Sequence, residues 1–171
     1  KCYNFCMALD LTAGQILADK LIEDWFLHST RQTFVLAGYA GTGKTTLLKH
    51  VVCETLQLVP DESVAFVTPT GKAATVLIRS GIPATTLHKL IYKSIAEEQQ
   101  IEINGKKITV EKLSFKRRES IDKGIKLIVL DEASMVSDEM SAAIDLGASV
   151  IGRKNAADVA RTILAAAEMD I

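Results

Sequence analysis

Two groups of residues in this chain could do chemistry together. The first is the stretch Gly38-Tyr39-Ala40-Gly41-Thr42-Gly43-Lys44-Thr45-Thr46, which meets the pattern G-x-x-x-x-G-K-[ST] at Gly38, Gly43, Lys44 and Thr45. Glycines let a backbone wrap tightly, so that successive N–H groups point inward at phosphate oxygens. A helix following directly would add its N-terminal dipole. Gly38, Gly41, Thr42, Gly43, Lys44, Thr45 and Thr46 therefore read as a cradle for nucleotide phosphates. Lys44 would neutralise the β- and γ-phosphates, and Thr45 would ligand Mg2+. The second group is Asp131-Glu132, at the end of the apolar run "LIVL". Asp131 would hold the Mg2+ shell. Glu132 beside it can orient and deprotonate a water for attack on the γ-phosphate, which indicates hydrolysis rather than transfer to a small acceptor.

These groups need elements that bring them together. "TFVLAGY" is a short run of strand formers ending at the first glycine of the loop, and residues 44–57 read as the helix after it. "SVAFVTP" is a second buried strand stopped by Pro69, and "IKLIVLDEAS" a third. Leu11 to Phe26 has helical spacing with Thr12 as N-cap, "GKAATVLIRSG" is a helix closed by Gly81, and a short helix is expected from Thr86 to Ile95. Residues 96–124 are polar and alternating, and Asn104-Gly105 is a two-residue turn signal, so a β-hairpin is expected as an insertion. "SDEMSAAIDL" reads as a helix capped by Ser137, and the Ala-rich residues 155–169 as a helix capped by Asn155. Strands alternating with helices imply an α/β domain with a mostly parallel sheet, covered on both faces.

The composition sets limits. The chain of 171 residues, 48% hydrophobic and 24% charged, has the size and balance of one globular domain. Its net charge of −1 gives no global basic footprint, so any nucleic-acid contact must be local. Lys116-Arg117-Arg118 is such a local cluster, and reads first as a solvated face of the insertion. Cys2, Cys6 and Cys53 make no disulfide framework, and reduced thiols are the expectation for a cytoplasmic protein. No apolar run reaches the roughly 18 residues of a membrane span. Residues 1–9 read as a disordered extension, with Met7 as a natural start.

The segments "LTAGQ", "GYAGTGKTT", "VTPTGKAA", "ATTLHKLI" and "IVLDEASMV", in this order, resemble the first motor domain of superfamily 1 DNA helicases, and the RecD-like and Dda-like group within it. The resemblance covers about residues 10 to 140. It implies a P-loop NTPase with a RecA-like sheet over residues 10–147, ATP and Mg2+ as ligands, single-stranded DNA as partner, and 5′-to-3′ movement. Gln15 is similar to the glutamine that reads the adenine edge, an edge a carboxamide can match with one acceptor and one donor. Thr68, Pro69, Thr70 and Lys72 correspond to a segment lying along single-stranded DNA, and Thr86 and His88 to the next DNA-contacting segment.

The resemblance lapses in the tail. The family follows the helix after the acidic pair with a further strand and a Gly-Asp-x-x-Gln-Leu segment. Here Gly152 is followed by Arg153, and residues 148–171 read as a divergent helical tail. The family's second motor domain, which supplies an arginine worth about 10³–10⁵ in rate, is also missing, and neither Arg153 nor Arg161 is placed to replace it. An ATPase domain that is not a helicase alone is the leading expectation. The alternative is a nucleotide- or DNA-binding module that contacts a partner chain without translocation.

Overall fold

The computed structural model describes residues 10–103, 106–118, 124–136 and 161–167. Helix α1 (Ala13–His28) starts at Thr12, as its N-cap signal requires. Strand β1 (Thr33–Gly38) leads through the glycine-rich loop into α2 (Lys44–His50). The expected helix over 44–57 does not stay α-helical: Val51–Thr55 form a π-helical turn, closed by the Leu56 N–H donating to the Val51 carbonyl at 2.8 Å. The Thr55 hydroxyl ties this wider turn to α1 by donating to Asp19 Oδ1 at 2.6 Å.

Strand β2 (Val64–Thr68), helix α3 (Gly71–Arg79), strand β3 (Ala84–Thr86) and helix α4 (Leu87–Ile91) follow. The helix expected from Thr86 to Ile95 is therefore shorter, because the chain turns extended at Tyr92. There it enters the antiparallel ribbon of β4 (Tyr92–Ile103) and β5 (Lys106–Arg117). The hairpin insertion is present as expected, and its Asn104-Gly105 turn lies outside the described residues. Arg118 N–H donates to the Ile91 carbonyl at 2.8 Å and closes the base of the ribbon. Strand β6 (Leu127–Leu130) leads to the acidic pair and a 3-10 turn (Ala133–Met135). The expected helix over "SDEMSAAIDL" lies outside the described residues, as do residues 1–9 with Cys2 and Cys6.

The tail overturns an expectation. Arg161–Ala167, read from sequence as part of an Ala-rich helix, form strand β7. It lies inside the main sheet, whose order is β1-β7-β6-β2-β3, with every pairing parallel. The sheet domain therefore does not stop at residue 147, and Thr162, Ile163 and Ala165 are buried in it. Alanine favours helix by intrinsic propensity, but the slot between β1 and β6 offers both strands' unpaired backbone groups and apolar cover, and tertiary context prevails over propensity. The further strand that the resemblance requires after the acidic pair is thus supplied by these residues.

Alternate side chains of the strands enter opposite layers, as a doubly covered parallel sheet demands. Val64, Phe66, Leu127, Val129, Ile163 and Ala165 pack under α1, α2 and α3. Val67, Ile128 and Leu130 pack with Leu87 and Ile91 of α4 on the other face.

Candidate functional site

The glycine-rich loop sits where β1 ends, the edge at which open α/β sheets bind ligands. Gly41 and Gly43 hold φ of 78° and 81°, which only glycine adopts without strain. Thr42 closes the turn between them, its N–H and hydroxyl both donating to the Tyr39 carbonyl at 3.4 and 2.9 Å. Lys44 Nζ donates to the carbonyls of Gly38 and Tyr39, at 2.5 and 2.9 Å, so the ammonium already lies over the loop it would serve. Thr46 follows on the exposed side of the first turn of α2.

Across from the loop, the Thr45 hydroxyl donates to Asp131 Oδ2 at 2.7 Å, linking residues far apart in sequence. Asp131 is only 8% exposed. Its N–H donates to the Val67 carbonyl at 3.0 Å, and its Oδ1 accepts from the Glu132 N–H at 3.0 Å. A hydroxyl and a carboxylate converging on one point form an oxygen donor set suited to a hard cation such as Mg2+. Glu132 is exposed and left-handed at φ 58°, an uncommon conformation for a residue with a Cβ. That bend turns the chain sharply at the end of β6. A cavity of about 430 Å³ opens beside this pair, lined by Thr45, Thr46, Lys49 and Thr68 and walled by Leu77 and Ile82 from α3 and the segment after it.

Gln15 reaches the same loop. Its Nε2 donates to the Thr42 carbonyl at 3.2 Å, while its Oε1 accepts from the Thr12 N–H at 3.0 Å. The sequence signal for this second contact is the Thr–x–x–Gln spacing of a capping box, legible beforehand although only the Thr12 cap was drawn from it.

The residues expected to meet DNA divide. Thr68 is fully buried and its hydroxyl donates to the Thr70 carbonyl at 2.9 Å, so it does not face a nucleic acid; this corrects the expectation. It is an internal brace of the turn at Pro69. Thr70 caps α3, its hydroxyl accepting from the Ala73 N–H at 3.2 Å, and Lys72 is exposed in the first turn. Thr86 caps α4 by accepting from the Lys89 N–H at 3.3 Å. His88 is exposed, stacked on Tyr92 at 4.7 Å and met edge-on by Phe115 at 4.9 Å. Sequence reasoning did not find Tyr92 and Phe115, because the register that joins them to His88 is set by the ribbon. Among the described residues, no three potential ligands of His, Cys, Asp or Glu type gather as a separate metal cluster, and no helix is long and apolar enough to cross a membrane.

Comparison with known proteins agrees with this fold. A family model described as an AAA domain matches residues 18–152. Uncharacterized protein R530 of Acanthamoeba polyphaga mimivirus is 33% identical over 144 residues, covering 75% of this chain and 28% of that protein. Uncharacterized protein MJ1519 of Methanocaldococcus jannaschii is 32% identical over 108 residues, covering 61% of this chain and 9% of its own length. Among solved structures, a Pif1 helicase from a study of unwinding at forked double-stranded DNA aligns with a TM-score of 0.57 at 22% identity, over 94% of this chain and 34% of that one. Bacteroides Pif1 bound to single-stranded DNA aligns at 0.56 and 22%, over 94% and 32%. Bacteroides Pif1 with ADP-AlF3 and single-stranded DNA aligns at 0.54 and 24%, over 94% and 33%. At these identities the likeness is one of fold: a P-loop NTPase sheet flanked by helices. The chain spans about a third of the length of those helicases or less.

Proposed function

We propose that this chain, which belongs to the AAA domain family, is the ATP-binding and ATP-hydrolysing first motor domain of a 5′-to-3′ DNA helicase, and does not unwind DNA without a second motor domain. The observation that carries the reading is the meeting of Thr45 and Asp131 at 2.7 Å, with Glu132 next in the chain. A phosphate loop without that partner would be a generic anion cradle; with it, the loop faces a cation-binding carboxylate and a candidate base.

In this reading the loop N–H groups hold the phosphates, and Lys44 leaves the Gly38 and Tyr39 carbonyls for the β- and γ-oxygens. Mg2+ held by Thr45 and Asp131 would supply charge neutralisation between the phosphates. Glu132 orients a water and accepts its proton. Gln15 has one amide hydrogen and one lone pair to spare for the adenine edge. Pro69, Thr70, Lys72, Thr86 and His88 form the DNA-facing side, Lys72 as a phosphate contact and His88 as part of an aromatic surface with Phe115, which is 61% exposed.

A multiple-turnover ATPase assay with and without single-stranded DNA tests the proposal. DNA-stimulated turnover that Lys44→Ala abolishes is the expected result. Tight ATP binding with no turnover would assign the chain instead as a nucleotide-binding module that does not translocate.

A further inference from the structure

The Gln15 amide is held at both ends. On one side it accepts from the Thr12 N–H, on the other it donates to the Thr42 carbonyl. An N–H facing Oε1 and a carbonyl facing Nε2 admit one orientation of the amide, since the flipped form would set like groups against each other. Thr12 closes the arrangement, its hydroxyl accepting from the Gln15 N–H at 3.4 Å. The loop passes so close that a Cβ on Gly43 would lie 3.0 Å from Gln15 Nε2. The contact is therefore with the loop backbone itself, not with a group that arrives with a ligand.

This contact has a directional consequence. In a planar trans peptide the C=O and the following N–H point in opposite directions. Holding the Thr42 carbonyl toward Gln15 turns the Gly43 N–H away from α1. That N–H belongs to the loop that would meet phosphate oxygens, so its direction is set before any ligand binds, and a loop ordered beforehand loses less freedom on binding.

We propose that Gln15 is a positioning residue for the phosphate loop, oriented by Thr12, and that it acts on the binding of phosphate chains whether or not a base is attached. The proposal rests on the nucleotide reading above. It differs from base recognition, which would leave a baseless ligand unaffected.

The test is calorimetric titration of the full chain with inorganic tripolyphosphate and, separately, with ATP, each with magnesium and well below the melting temperature of every variant. Gln15→Ala is expected to weaken tripolyphosphate binding by about three- to tenfold, the scale of one lost hydrogen bond. Thr12→Ala should shift it in the same direction by less, and Thr12→Ser should restore it. Unchanged tripolyphosphate binding in Gln15→Ala, with ATP binding alone reduced, overturns the proposal and leaves Gln15 a base reader. If the wild-type chain binds neither ligand, or Lys44→Ala binds tripolyphosphate as tightly as wild type, the nucleotide reading itself fails and the positioning role with it.

Discussion

Ala167 stands opposite Gly38 in parallel register, so β7 finishes level with the residue at which the glycine-rich loop begins. Ile163 and Ala165 of that strand are buried in the layer beneath the helices. The support of the loop is therefore distributed over both ends of the sequence.

Ile163→Ala should accordingly lower stability by about 2–5 kcal/mol, the range for truncating a well-packed isoleucine. Urea unfolding followed by circular dichroism measures it. A loss below about 0.5 kcal/mol would show that this strand is not packed in the core.

Glu132→Gln should separate binding from chemistry. Glu132 is exposed and its backbone N–H donates to Asp131 Oδ1, and in the proposed reading it acts on water rather than holding the nucleotide. Single-turnover hydrolysis is expected to fall by about 10²–10⁴-fold, the usual worth of a general base, while ATP affinity stays near wild type. Equal losses in both would make it a ligand-holding group instead.

Two glycines should respond oppositely to the same change. Gly43 carries φ of 81° with Gln15 Nε2 at 3.0 Å from an added Cβ, whereas an added Cβ on Gly14 meets nothing within 4 Å. Gly43→Ala forces a left-handed alanine, at roughly 1–2 kcal/mol, and ATP affinity should drop by about tenfold. Gly14→Ala, within helix α1, should raise stability by about 0.5–1 kcal/mol. Thermal melts and ATP titrations of both variants make the comparison.

If the proposed function holds, Lys72→Ala should weaken single-stranded DNA binding for every sequence alike and reduce the salt slope by about 1. Thr68→Val should leave that slope unchanged and show its effect in the melting temperature, since its hydroxyl serves the Thr70 carbonyl. Fluorescence anisotropy across a salt series distinguishes them. A salt slope altered by Thr68→Val would contradict its internal role.

The positions of the glycine-rich loop and of the Asp131-Glu132 pair were legible because they depend on local spacing and on strand ends, which apolar runs mark clearly. The hairpin was legible through its alternation. Thr68 was misread because its residue type suits a phosphate contact, while its burial is decided by β6 and β3 on either side. Residues 161–167 were misread for a related reason: "RTILAAA" states a helical preference, and only the gap between β1 and β6 overrules it. The π-helical turn at Val51–Thr55 left no mark in a sequence that continues the pattern of α2.

The place of β7 also bears on when the domain can form during synthesis. Among the described residues, β1 has no sheet neighbour except β7, and β7 is made after β2, β3 and β6. Until it emerges, the nascent chain has already made the glycine-rich loop but, among the described residues, no strand that pairs with β1, while β6, β2 and β3 can pair on their own. Such long-range closure slows folding. The loop would thus gain its flanking strand later than β6, β2 and β3 gain theirs.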